Sequence, residues 1–154
     1  MWDPHGAVYD LGAPANWTAE ILFSGNIKAG RAVFVLVPKG SPSRKWEYGE
    51  QWPDVSTVLF RDRVLHGVTE SRIGLDYLST RKEIDMNKLT WIPTSHMING
   101  LIVPAVDNRI NSIVLIACGI YPESKTSLPE VNPVNFVAHY NKPTYFLYGK
   151  FDEA

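Results

Sequence analysis

Apolar residues collect in four short runs along the chain: RAVFVLVP (31–38), KLTWIP (88–93), SIVLIACG (112–119) and PTYFLYG (143–149). Each run is nearly continuous and ends at Pro or Gly, which is typical of strands that are buried on both faces. The pattern therefore predicts a mostly parallel sheet of about four or five strands.

Between the first two runs, apolar positions recur at helical spacing instead. From Thr57 to Thr80 they fall one, three and four residues apart, at Val64, Leu65, Val68, Leu75 and Leu78. That spacing predicts a long amphipathic helix. A second helix is expected to begin at Ser95 or His96 and to run to Val106.

A third, short helix is expected near residues 132–140, where Asn132 can cap and Pro133 suits the first helical position. The pattern in residues 16–30 allows either a helix stopped by Gly30 or one arm of a hairpin, and we favour the helix. Strand and helix alternation predicts one α/β domain over residues 1–154, with helices on both faces of the sheet.

Residues 39–56 contain too many Pro, Gly and Ser for a regular element and are predicted to form a long loop after a strand. Loops at the carboxyl ends of parallel strands commonly build ligand sites. Trp46, Tyr48 and Trp52 cluster there. They are candidate contacts for a small acyl or aromatic ligand, and local packing is the alternative.

Composition narrows the classes of partner. The chain is 45% apolar and 20% charged with a net charge of −1, which favours neither nucleic acid nor an anionic membrane. No apolar stretch approaches the roughly 18 residues that span a bilayer, and the N-terminus lacks signal-peptide features. The single cysteine, Cys118, is predicted to be a buried hydrophobe in a reducing compartment, the cytoplasm. No metal-ligand spacing or phosphate loop is found, so neither a metal nor a cofactor is expected.

Three stretches carry a resemblance to a known family: GRAVFVLVPKG, GLDYLSTRKEID and LPEVNPVNFVAHYNKPTYFLYGKFD. In order and spacing they resemble the α/β-hydrolase superfamily, in its dienelactone-hydrolase-like and acetyl-esterase-like branch, from about Gly30 to Asp152. The resemblance implies that Ser95 is the nucleophile, that Asp152 is the acid of the triad, and that the backbone N–H of His96 is an oxyanion donor.

The chain departs from that family's pattern in three ways. Pro93 and Met97 stand where the nucleophile elbow has glycine, and no strand with an oxyanion loop is found before residue 31. The chain also stops two residues after Asp152, whereas the family's histidine base follows the acid.

Three functional hypotheses follow. The first is a shortened hydrolase-like protein without efficient triad catalysis, which acts as a binding or assembly module and forms a homodimer. The second is a serine ester hydrolase whose base is His139, His66 or His5, from the same chain or across a dimer. The third is a binder of small molecules that uses the loop of residues 39–56.

Overall fold

A computed structural model describes residues 24–36, 39, 44, 53–93, 98–120 and 126–150. The chain divides into two compact units, Met1–Glu50 and Gln51–Ala154. In the first unit, residues 24–28 are helical, and Gly30 ends that helix with φ of +74°. Arg31 N–H donates to the Asn26 carbonyl and Gly30 N–H to the Ile27 carbonyl, which is the Schellman pattern. The predicted stop at Gly30 is therefore confirmed.

The second unit begins with helix α1, Val58–Ser79. Thr57 caps it, because its side chain accepts a hydrogen bond from Phe60 N–H at 3.2 Å. The buried side chains Phe60, Val64, Val68, Ser71, Leu75 and Leu78 recur at three- and four-residue spacing. The predicted helix from Thr57 to Thr80 is thus confirmed to within its capping residues.

Three parallel strands make the sheet: β1 (Thr90–Trp91), β2 (Ser112–Ile116) and β3 (Thr144–Leu147). They lie in the order β1-β2-β3, so β2 is central. Each falls inside a predicted apolar run. The expected fourth strand over 31–38 is not confirmed, because residues 31–36 adopt neither helix nor strand, and residues 37 and 38 lie outside the described part. A sheet of four or five strands is likewise not confirmed.

Helix α2 spans Ile98–Val106 and contains Pro104. A proline has no N–H to give to the carbonyl four residues earlier, which here belongs to Gly100. The indole Nε1–H of Trp91 donates to the Gly100 carbonyl instead, at 2.9 Å. This hydrogen bond compensates for the missing donor and joins β1 to α2.

Helix α3, Val134–Val137, is a single turn. Asn132 caps it as expected, since its Oδ1 accepts from Val134 N–H at 3.0 Å. Two short 3₁₀ turns, Met86–Lys88 and Pro129–Val131, lead into β1 and α3 respectively.

The core lies on one face of the sheet, which we call the inner face. Ile113 and Leu115 of β2 point there and are buried with apolar residues of α1 and α2, and Phe136 of α3 packs against the same cluster. The opposite, outer face carries Val114 and Ile116, with Tyr145 and Leu147 beside them in register. Helices α1, α2 and α3 of this unit therefore lie on the inner side. Helices on both faces, as predicted from the alternation, are not confirmed by the described residues.

Candidate functional site

The carboxyl ends of the three strands meet at the end of β2. Ile116 N–H donates to the Pro93 carbonyl at 3.2 Å, and Ala117 N–H donates to the Leu147 carbonyl at 2.8 Å. Pro93 and Leu147 therefore flank the end of the central strand, about 10 Å apart by the usual strand spacing. Ser95 follows Pro93 by two residues and Asp152 follows Leu147 by five.

The backbone turns sharply where β2 ends. Ala117 has φ of +45°, the left-handed region that residues other than glycine rarely occupy. This conformation ends β2 earlier than the predicted run 112–119. Cys118 then points into the core and is fully buried, as predicted. At Gly119 an added Cβ would lie 2.6 Å from Tyr148 Oη, so glycine leaves room for that ring.

The residues predicted to carry the chemistry lie outside the described part of the chain. They are the candidates by resemblance, Ser95, His96 and Asp152, and the loop aromatics, Trp46, Tyr48 and Trp52. Met97, one of the two departures from the nucleophile elbow, lies outside it as well. Pro93, the other departure, is buried at the last hydrogen bond between the β1 segment and β2.

Two of the four histidines are described, and neither lies at the carboxyl edge of the sheet. His139 follows α3 and precedes β3, which places it towards the amino edge. His66 is exposed on α1, on the side of the helix that faces away from Val64 and Val68. His5 and His96 lie outside the described residues.

A charged cluster that the sequence reasoning missed lies at the amino edge. Asp107 follows α2 and is 4% exposed. It accepts from Arg109 Nε at 2.9 Å, from Arg109 Nη2 at 2.6 Å and from Arg109 N–H at 3.1 Å. Arg72 Nε of α1 lies 3.4 Å from Asp107 Oδ2, the oxygen that also accepts from Arg109 Nη2. Arg109 Nη1 also donates to Asp76 at 2.6 Å, so the cluster ties α1 to the start of β2.

These contacts explain the protonation of the cluster. The hydrogen bond from the Arg109 side chain holds the pKa of Asp107 below its usual value, against the opposing effect of burial. The same carboxylate raises the pKa of Arg109. Lys142 Nζ donates to the Asp107 carbonyl at 2.8 Å, just beyond the carboxyl end of α2, where a positive charge is stabilising. Burial lowers the pKa of Lys142.

The cluster borders a shallow cleft of about 550 Å³ lined by Arg72, Asp76, Val106, Asp107, Asn108 and Arg109. Its charged groups already pair with one another, so the cleft is best explained as structural. Sequence signals for it were weak, because Arg72 and Asp76 are separated from Asp107 by more than thirty residues.

Strand β3 presents apolar side chains to solvent on both faces. The exposed fractions are 62% for Tyr145, 60% for Phe146 and 44% for Leu147, and Ile116 beside Leu147 is 38% exposed. Strands of a parallel sheet are normally buried on both faces, so this surface is unusual.

Comparison with known proteins gives no further identification: no family model, no curated protein and no solved structure matches the chain. The α/β-hydrolase resemblance therefore stays a prediction from the residues quoted above. Among the described residues, no group of three or more His, Cys, Asp or Glu side chains could hold a metal ion. No helix in that part of the chain is long and apolar enough to cross a membrane.

Proposed function

We propose that this chain is an α/β-hydrolase-like protein that acts as an assembly module and forms a homodimer, without efficient triad turnover as an isolated chain. One observation carries the proposal: the apolar, exposed strand β3, with its neighbouring outer sheet face. Contiguous apolar surface of this kind marks interaction sites in soluble proteins. Burial of Tyr145, Phe146 and Leu147 against a second surface provides the driving force for assembly.

Two features support weak turnover. A serine hydroxyl needs a base within hydrogen-bond reach. His139 lies towards the wrong edge of its own sheet, and His66 faces away from the core. Among the described residues no histidine is therefore placed to serve as the base, and without a base most of the triad's contribution is missing, because its members act as a unit. The elbow motif also has glycine two residues before its serine, where this chain has the buried Pro93.

The experiment has two readouts on the full chain. Light scattering after size exclusion should give a mass that rises from 17.3 kDa, the mass of one chain, towards twice that value as the concentration passes through the micromolar range. Hydrolysis of p-nitrophenyl acetate should be equal for the wild type and the Ser95→Ala variant. A monomer at every concentration would contradict the assembly role, and a loss of rate confined to Ser95→Ala would contradict the absence of turnover.

The second candidate function is a serine ester hydrolase with Ser95 as its nucleophile and a small acyl ester as its ligand. One observation favours it: Pro93 and Leu147, which precede Ser95 and Asp152, flank the end of the same strand. A histidine side chain that bridges the Ser95 hydroxyl and the Asp152 carboxylate would form one hydrogen bond of about 3 Å to each. Under this reading Ser95→Ala and Asp152→Asn both abolish hydrolysis, and a fluorophosphonate labels the wild type but not Ser95→Ala.

The compartment proposed for either function is the cytoplasm, on the ground of the single buried thiol of Cys118. Binding of a small ligand by Trp46, Tyr48 and Trp52 stays a further prediction. Quenching or shift of tryptophan fluorescence by acyl or aromatic compounds tests it.

A further inference from the structure

The edge of β3 that faces away from β2 carries backbone hydrogen-bonding groups that no described residue pairs with. Ile113 N–H donates to the Pro143 carbonyl and Ala117 N–H to the Leu147 carbonyl. The backbone N–H and C=O groups of successive residues point to opposite sides of a strand. Those of Tyr145 and Leu147 therefore point towards β2. Thr144 and Phe146 direct theirs away from the sheet, and they have no hydrogen-bond partner on that side among the described residues.

The edge also lacks the features that protect a sheet from pairing. Native edge strands usually carry a charge, a proline or a bulge. Between Thr144 and Leu147 there is none of these. The most exposed side chains of the sheet, Tyr145 and Phe146, lie on opposite faces of this strand.

We infer that β3 pairs antiparallel with β3 of a second copy, which joins the two sheets into one of six strands across a two-fold axis. The inference rests on the proposed assembly function and names its surface. A two-fold contact is self-complementary, so the uncharged segment from Thr144 to Leu147 can meet itself without opposing like charges. The chain's net charge of −1 adds little repulsion.

Geometry selects the register. A two-fold axis perpendicular to the sheet must place one residue opposite itself. Centring on Phe146 would set Lys142 against Lys150 of the other copy, a like-charge pair. Centring on Tyr145 sets Lys142 against Tyr148 instead, and Thr144 pairs with Phe146 on both sides of the axis. That register forms about four backbone hydrogen bonds and stacks the two Tyr145 rings as a cross-strand aromatic pair.

The area available indicates a weak dimer. Three aromatic side chains, Tyr145, Phe146 and Tyr148, are about half exposed. Because an aromatic side chain can bury 150–250 Å², these three offer roughly 300 Å² per copy. The neighbouring aliphatic side chains and the strand edge bring the total over two copies to roughly 1,000 Å², at the lower end for specific interfaces. We therefore expect a micromolar dissociation constant.

Disulfide trapping tests the register. In a background of Cys118→Ala, Tyr145→Cys should form an intermolecular disulfide on mild oxidation, because opposed residues of a non-hydrogen-bonded pair have Cα atoms about 4.5 Å apart. Leu147→Cys is the matched control. Its two copies would lie about 13 Å apart along the strands, beyond the reach of a disulfide.

Light scattering tests the surface. Tyr145→Glu places two carboxylates at the axis and should raise the dissociation constant at least about tenfold. Tyr77→Glu, at an exposed tyrosine of α1, should leave it unchanged. If the wild type dimerises but Tyr145→Glu has no effect, or Leu147→Cys crosslinks as fast as Tyr145→Cys, this interface is wrong and the assembly function stands. If the wild type stays monomeric at about 100 μM, both the β3 interface and the assembly function are wrong.

Discussion

Replacement of Asp107 by asparagine tests whether the charged cluster at the amino edge holds α1, α2 and β2 together. Asparagine keeps the size of the side chain and removes its charge. The backbone carbonyl of residue 107, which accepts from Lys142, is unaffected. The change therefore isolates the carboxylate and its bonds to Arg109 and Arg72.

The expected loss of stability follows from the contacts. Hydrogen bonds to charged groups contribute about 1.5–3 kcal/mol each and are not additive within one cluster. The Arg109 side chain is 29% exposed, so water compensates it in part when the carboxylate is lost, and Arg72 at 56% exposed contributes little. We expect Asp107→Asn to lower the free energy of unfolding by about 2–3 kcal/mol, or the melting temperature by roughly 4–10 °C.

Acid should remove the difference between the two proteins. Because the folded-state pKa of Asp107 is below its ordinary value, its stabilisation is fully present above the unfolded pKa of about 3.9. That stabilisation is lost as the pH falls through the folded pKa. The gap between wild type and Asp107→Asn should be constant from about pH 7 to 5 and shrink below about pH 4.

Urea unfolding followed by circular dichroism at several pH values measures both effects. Asp62→Asn is the control, because Asp62 is half exposed and pairs with Arg61 on the surface of α1. It should cost less than about 0.5 kcal/mol. The stabilising role of this cluster is refuted if Asp107→Asn lowers the free energy of unfolding no more than Asp62→Asn does. It is also refuted if the effect of Asp107→Asn is the same at about pH 3 as at neutral pH.

Three further predictions concern the core and the hydrogen bonds that position it. Thr57→Ala should cost about 1 kcal/mol of stability by removing the cap of α1, and Thr57→Ser should restore most of it in the same urea assay; equal losses in both would contradict the cap. Trp91→Phe should leave the Gly100 carbonyl without its donor and cost about 1–3 kcal/mol, whereas a neutral effect would show that the indole hydrogen bond is unimportant. The thiol of Cys118 should react with a chromogenic disulfide reagent about 100-fold more slowly in the folded protein than in urea, and equal rates would contradict its burial.

Local sequence patterns were sufficient for the parts of the fold that depend on short-range physics. The spacing of apolar residues predicts α1 to within its capping residues, and Asn132 predicts the start of α3. The apolar run at 112–119 predicts β2 but not its end, because the left-handed Ala117 has no signature in its own residue type. Local patterns also predict the buried Cys118.

Features that depend on long-range contacts were not predictable in the same way. The valine-rich residues 31–36 read as a strand, yet a strand exists only where a neighbour pairs with it. The Asp107 cluster joins residues of α1 with the loop after α2, and no local pattern links them. Alternation of strands and helices predicted helices on both faces, whereas exposure of Tyr145 and Leu147 on the outer face follows from where the helices pack. Of the candidate site, the sequence supplied Ser95, His96 and Asp152, and the structure describes only the strand ends that precede two of them.

Light scattering across a dilution series decides whether the chain forms a homodimer. We expect the wild type to shift from near 17.3 kDa towards twice that mass as its concentration rises through the micromolar range. A constant mass of one chain over the whole series would contradict it.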